Sequence, residues 1–326
     1  MAQVTNVGTV WNLPNYAGEL FTADSLQTPL LSMIGGLSGG RQTTNFEFPT
    51  AVLYDYPEAT QPEISEEASV TAPTASMAVR SQESNVVQIH QEVINLSYAK
   101  QSNTGRLAGL NTADLAESLA DERAFQVQHK LVKIARDVEH SFINGKYQKS
   151  TGSSVANKTR GLLELCSGGT TIDAKGATLS KNLLQQIFRK MAAAGAYFSN
   201  MVMFLPAYQK QALSEIYATQ FVGSTLFAPA ERNVGGLNIT EIETDFCRVG
   251  VCWNRFMPSD SILIADVAHI APVFQAVPGK GVLFEEELAK TGAADKIQIY
   301  GQIGLAHGPA FLHASITGLA DGTAIE

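Results

Sequence analysis

Between Asn111 and Gly145 the chain runs for more than thirty residues without a proline, and its apolar residues recur at three- and four-residue steps. Leu115, Leu119, Ala124, Val127, Leu131, Ile134, Val138 and Phe142 form one stripe, the pattern of a helix with a single buried face. Asn111 and Thr112 suit an N-cap, Asp114 suits the first turn, and Gly145 supplies a stop. The spacing predicts one helix over about 113–144. At 1.5 Å per residue it reaches ~45 Å, more than twice the mean globular helix. It is the strongest element in the sequence, and the other segments are read around it.

Upstream, residues 1–41 mix short apolar patches (Val10, Trp11, Leu13; Leu30, Leu31, Met33, Ile34) with Pro14, Pro29 and glycines 35, 36, 39 and 40. Without periodicity this reads as an arm that becomes ordered by lying on something else. From Thr44 to Tyr56, Phe46, Phe48, Val52, Tyr54 and Tyr56 alternate as in a strand. A second strand is expected from about Asn85 to Tyr98. Its apolar phase changes between Val87, Ile89, Val93 and Ile94, Leu96, Tyr98, which implies a bulge or a change of packing partner. Residues 57–80 carry three prolines and the acids Glu58, Glu63, Glu66 and Glu67, and read as an acidic loop at a hairpin tip. A two-stranded ribbon of this kind, over roughly 42–100, is marginal alone in water and needs a neighbour.

Downstream of the long helix a compact mixed region is expected. Ser180 can cap a helix bearing Leu183, Leu184, Ile187, Phe188 and Met191 that ends at Gly195. Met201–Leu205 reads as a buried strand, Ala207–Thr219 as a helix, and Ile262–Ala265 and Val273–Val277 as short strands. At the end, Ile297, Ile299, Ile303 and Leu305 alternate, Gly308-Pro309 signals a turn, and Phe311–Ile316 is expected to return and close a sheet. No internal repeat or heptad run is present, which argues against solenoid and filament architectures.

A chain of 326 residues can bury a large core in two or more subdomains. It is 45% hydrophobic but only 17% charged, so much of its surface is expected to be covered by other subunits. The net charge of -8 disfavours tight binding to phosphates, which needs clustered Lys and Arg. Three cysteines, Cys166, Cys247 and Cys252, fit a reducing compartment without a disulfide framework. The first residues lack the pattern of a signal peptide and no apolar run approaches the ~20 residues of a membrane span, so a cytoplasmic origin is expected.

Residue patterns for chemistry do not converge. His90, His129, His140, His269, His307 and His313 never show the His-x-x-x-His spacing that shares a zinc, and Cys247 and Cys252 do not form Cys-x-x-Cys. There is no Gly-x-Ser-x-Gly elbow and no Ser-x-x-Lys. Neither the glycines at 35–40 nor Gly279-Lys280-Gly281 continues into a phosphate-binding loop. The run Glu285-Glu286-Glu287 is expected to face solvent or basic residues of a neighbour rather than hold a cation. No catalytic, cofactor-binding or metal-ligating residue is assigned.

The order of elements, an arm, a long hairpin, a very long helix, a mixed lobe and closing strands, resembles the major capsid proteins of tailed bacteriophages with the Hong Kong 97 fold. Locally, Ser84-Asn85-Val86-Val87-Gln88-Ile89 leading into Glu92-Val93-Ile94-Asn95-Leu96-Ser97 is similar to that family's strand before its spine helix. Ala135-Arg136-Asp137-Val138-Glu139 with Asn144-Gly145-Lys146 is similar to the end of the helix. Arg160-Gly161-Leu162, Ala289-Lys290-Thr291-Gly292 and Gly304-Leu305-Ala306-His307 extend the likeness over nearly the whole chain.

The resemblance implies an α+β protein with an N-terminal arm (1–41), an extended hairpin or E-loop (42–100) and a peripheral domain (101–160) containing the spine helix. An axial domain (161–282) and a return to the peripheral sheet (283–326) complete it. It further implies a non-enzymatic shell protein that assembles with itself through pentamers and hexamers, hairpin and arm lying over neighbours, to enclose double-stranded DNA. Portal and a decoration protein are implied partners, and either a separate scaffolding protein or assembly without one is implied. The virion, assembled in the host cytoplasm, is the implied location. An encapsulin-type compartment is the nearest alternative; a cytoplasmic α/β enzyme and a tail or adhesion protein stand further off.

Overall fold

The computed structural model describes residues 27–54, 58–72, 77–98, 122–221, 240–290 and 292–322. Residues 1–26 of the expected arm, the helix start expected over 113–121, and Lys100 lie outside the described residues. The elements begin with α1 (Pro29–Met33), β1 (Arg41–Thr43), β2 (Glu47–Tyr54), α2 (Glu66–Ser69), β3 (Arg80–Val86), β4 (Gln88–Ser97) and the long helix α3 (Glu122–Asn144). They continue with α4 (Leu162–Ser167), β5 (Thr171–Asp173), α5 (Lys181–Ala193), β6 (Met201–Leu205), α6 (Ala207–Phe221), β7 (Glu241–Glu243) and β8 (Arg248–Trp253). β9 (Ile262–Asp266), β10 (Ala271–Gln275), β11 (Leu283–Leu288), β12 (Ala294–Ala306) and β13 (Ala314–Thr317) complete the order.

β6 and β9 are buried at every position because their sheet is covered on both faces. Met201, Met203 and Leu205, with Ile262 and Ile264, point to a cluster built by Leu184, Ile187, Phe188 and Met191 of α5 and Leu213 of α6. Val202 and Phe204, with Leu263 and Ala265, point the other way, to Ile134, Val138 and Phe142 of α3 and Leu162 and Leu165 of α4. The six strands run in the order β5-β13-β9-β6-β8-β7. Helix α5 starts where Ser180 Oγ accepts the Leu183 N–H and ends before Gly195, whose φ of +88° suits a residue without Cβ.

The second, five-stranded sheet is organised on the 13-residue β12. It pairs antiparallel with β4 over Ala294–Ile303, with β11 and, at its end, with β10; β1 adds to β10 in parallel. The alternation of Ile297, Ile299, Ile303 and Leu305 places all four in the same core as α3. Burial along α3 rises toward its C-terminus: Val127 and Leu131 are half-buried, whereas Ile134, Val138 and Phe142 are sealed. The helix ends because Gly145 and Gly161 meet backbone to backbone, Gly161 N–H donating to Gly145 O at 3.0 Å. A Cβ on Gly161 would lie 2.5 Å from the Gly145 nitrogen.

Two expectations are corrected. The strand predicted over 85–98 is two strands, interrupted at the buried Val87: β3 returns along β2, whereas β4 leaves the hairpin for β12. This is the change of partner that the phase shift implied, but it falls earlier, and Ile89 and Val93 are left on the exposed face. The residues after Gly308-Pro309 form a short 3-10 turn (Ala310–Leu312) and then β13, which inserts between β5 and β9 of the six-stranded sheet rather than returning to β12. Conversely β10, expected in the axial domain, belongs to the five-stranded sheet. The sheets therefore do not divide at residue 282.

Candidate functional site

Three histidines and the cysteines are spent on packing. His313 accepts the Asp266 N–H at Nδ1 (3.2 Å) and donates from Nε2 to the His307 carbonyl (2.5 Å), which sets one neutral tautomer. Burial pushes His313, His307 and His90 down to about 4. His129 and His140 are exposed on α3. Cys166 is sealed and pushed up to about 12 by burial. Cys247 and Cys252, an odd number of residues apart on or beside β8, pack against the two opposite cores, which keeps them from acting as a pair.

In the acidic run Glu285 and Glu287 are exposed. Pleating sends Glu285 and Glu287 to Arg123 of α3 (2.7 and 3.5 Å) and Glu286 to Lys280 (2.6 Å), so its partners are in the same chain. Among the described residues no three His, Cys, Asp or Glu converge as a metal set. A 410 Å³ groove between α5 and β7 has an apolar floor of Leu184, Phe188 and Ile242 and a charged rim of Lys181, Arg189, Glu243 and Asp245.

What the fold does position is the hairpin. Its root is held by Asn85, fully buried: Oδ1 accepts the Arg160 N–H (2.8 Å), and Nδ2 donates to the Arg160 and Leu305 carbonyls (3.2 and 2.8 Å). Leu305 N–H in turn donates to Thr159 Oγ1 at 3.2 Å. Gly304 lets Phe48 and the Val86 carbonyl approach to where a Cβ would lie, 2.8 Å from each. Three of the segments that carry the family likeness, around Asn85, Gly161 and Gly304, thus meet at one joint. On its outer side Lys149 donates to Glu47 Oε2 (2.5 Å) and Ser84 Oγ donates to Glu47 Oε1 (2.8 Å). These bonds hold the Glu47 carboxyl below its usual range.

Beyond this joint the described residues of the hairpin are mostly exposed. Val52, Tyr54, Ile64, Val70, Met77 and Val79 are all exposed, Met77 at 90%. The acidic tip carries the short helix α2, capped by Ser65 Oγ accepting the Ala68 N–H. Residues 55–57 and 73–76 of the tip lie outside the described residues.

A buried acid of the Ala135–Glu139 motif joins the short helix α1 to the body. Glu139 accepts the N–H groups of Leu30 (2.9 Å) and Leu31 (2.7 Å) and the Asn254 side-chain amide (2.6 Å). Its signal in the sequence was an acid inside the apolar stripe, between Val138 and Phe142.

Two sheets, a long helix and a hairpin rooted at Asn85 make up a fold that solved structures share. The capsid asymmetric unit of cyanophage A-1(L) matches with a TM-score of 0.68 at 8% identity, covering 96% of this chain and 98% of that one. The capsid of a native GTA particle gives 0.57 at 12% identity, covering 95% and 97%. The holo-SrpI encapsulin of Synechococcus elongatus PCC 7942 gives 0.56 at 11% identity, covering 97% and 94%. No curated protein matches the chain. The model of the SU10 major capsid protein family matches residues 3–320. The chain belongs to that family.

Proposed function

We propose that this chain is the major capsid protein of a tailed bacteriophage, assembling through pentamers and hexamers into an icosahedral shell around double-stranded DNA. Beyond family membership, the observation that carries this reading is the hairpin: a strongly jointed root and a distal half whose described apolar side chains are exposed. Burying Val52, Tyr54, Ile64, Val70, Met77 and Val79 on a neighbour is worth, at ~1.5–3 kcal/mol per side chain, on the order of 10 kcal/mol before the cost of association. Because each subunit is held by several neighbours, contacts of this strength suffice for a closed shell and still allow errors to be corrected.

The activity is mechanical. The rigid two-sheet body keeps its shape, while hairpin and arm accommodate the slightly different angles of pentamers and hexamers. A net charge of -8 suits a container that confines DNA without gripping it, leaving the genome free to slide during packaging and exit. Assembly in the host cytoplasm, a portal vertex, a scaffolding protein and a decoration protein belong to the same proposal. An encapsulin shell is the weaker reading, since its likeness rests on fold alone.

The double substitution Met77→Asp and Val79→Asp tests it. Both side chains are exposed in the subunit (90% and 80%), so folding is preserved. Assembly into shells is expected to stop. Shells formed by the doubly substituted chain as readily as by the native one would remove the hairpin from the mechanism.

A further inference from the structure

We propose that Glu139 is the positioning residue that sets where the N-terminal arm leaves the body, through an ionised carboxylate at a junction of three elements. The proposal rests on the shell reading, since it concerns how the arm is aimed for assembly. Leu30 and Leu31 follow Pro29 at the base of the arm, and both are sealed (0% and 2% exposed). Their backbone N–H groups have turned toward α3, where Glu139 Oε1 and Oε2 accept one each.

Oε1 also accepts from Asn254, which follows β8. Asn254 is itself fixed: its N–H donates to Leu205 O of β6 (2.9 Å) and its Oδ1 accepts the Phe256 N–H (2.9 Å). A single carboxylate therefore ties the arm, the long helix and the six-stranded sheet together. Its 0% exposure excludes a solvent role.

The arrangement suits positioning rather than stability. All three donors aim at carboxylate oxygens, so the ionised form is the one that binds the arm, by hydrogen bonds roughly twice as strong as neutral ones. Burial opposes that ionisation and raises the Glu139 carboxyl above its usual range. The charge is thus retained at a cost to the fold, which a residue serving stability alone would not carry. A Gln at this position presents one acceptor and one donor; in either orientation its NH2 meets an N–H, and at least one of the three bonds is lost.

The full chain, kept below its assembly concentration, is compared as native, Glu139→Gln and Glu139→Asp by amide exchange and chemical unfolding, and then allowed to assemble. In Glu139→Gln the Leu30 and Leu31 amides are expected to exchange about tenfold faster, with β6 and α5 unchanged and no fall in the unfolding midpoint. Glu139→Asp keeps the charge but withdraws it by one methylene; it is expected to free the arm equally and also to lower the midpoint. On assembly, both substitutions are expected to broaden the distribution of particle sizes.

Unchanged exchange at Leu30 and Leu31 overturns the pin. A midpoint that falls in step with arm release in Glu139→Gln reduces Glu139 to a stability residue, which also overturns it. Freed arms with particles identical to native refute the positioning role while leaving the shell reading intact. If the native chain forms no shells, the shell reading fails and the positioning role fails with it, and the exchange data alone show whether Glu139 holds the arm.

Discussion

The joint at Asn85 invites the sharpest perturbation. Substitution by Ala removes one acceptor and two donors from a fully buried site. It strands the Arg160 N–H and the Leu305 carbonyl, whose bonds to Asn85 were both 2.8 Å. Each buried polar group left unpaired costs ~1–3 kcal/mol, so the sum is about 2–6 kcal/mol. Asn85→Asp keeps the shape and the acceptor but replaces the donating NH2 by one oxygen facing two carbonyls. It is expected to be worse than Ala at pH 7.

The sign with pH follows from the same geometry. A carboxyl facing two carbonyls has its folded-state pKa raised, so its penalty is present above that pKa and fades as pH falls and it protonates. The assay is urea unfolding of the unassembled subunit between pH 5 and 8, following the fluorescence of its two tryptophans. An Asn85→Ala loss under ~0.5 kcal/mol would be that of an ordinary surface substitution, and would show that the joint is held by something else.

Three more outcomes are expected. His90, His307 and His313 are neutral in the fold, each down from 6.5 to about 4. Their stabilisation is complete above pH 6.5 and lost as pH falls toward 4, by up to ~3 kcal/mol each at 1.36 kcal/mol per unit; the unfolding midpoint should drop over that window, and His313→Gln should flatten the drop. Gly161→Ala places a Cβ 2.5 Å from backbone and should cost about 3 kcal/mol in urea unfolding, whereas Gly292→Ala, open to 4 Å, should fall within ~0.5 kcal/mol of native. Met77→Asp with Val79→Asp should leave the subunit's unfolding within ~0.5 kcal/mol per site while abolishing particles in negative stain.

The parts legible in the sequence are those whose signal is local. The three- and four-residue spacing ending at Phe142 and Gly145, the alternation from Ile297 to Leu305, and the cap at Ser180 each report a face or an end of one element, and each is found in the structure. What failed was pairing. Nothing near Phe311 says that the following strand will insert between β5 and β9, and the phase change between Val93 and Ile94 announces a change of partner without placing it at Val87.

The joints were invisible for the same reason. Asn85 and Leu305 are 220 residues apart, and Leu30 and Glu139 109 apart, so no window along the chain contains both partners. The partners of the acidic run were likewise out of reach. Three adjacent acids look like one cluster, but the pleat splits them between Arg123 and Lys280.

The most direct test of the account is light scattering with negative-stain microscopy on the purified full-length chain, followed by cargo analysis of native particles. Closed icosahedral shells, or pentamers and hexamers that close on concentration, and DNA inside native particles are the predicted results. A chain that stays monomeric or dimeric at high concentration would contradict the shell-building claim, and shells filled with protein rather than DNA would replace the virion by an encapsulin-type compartment.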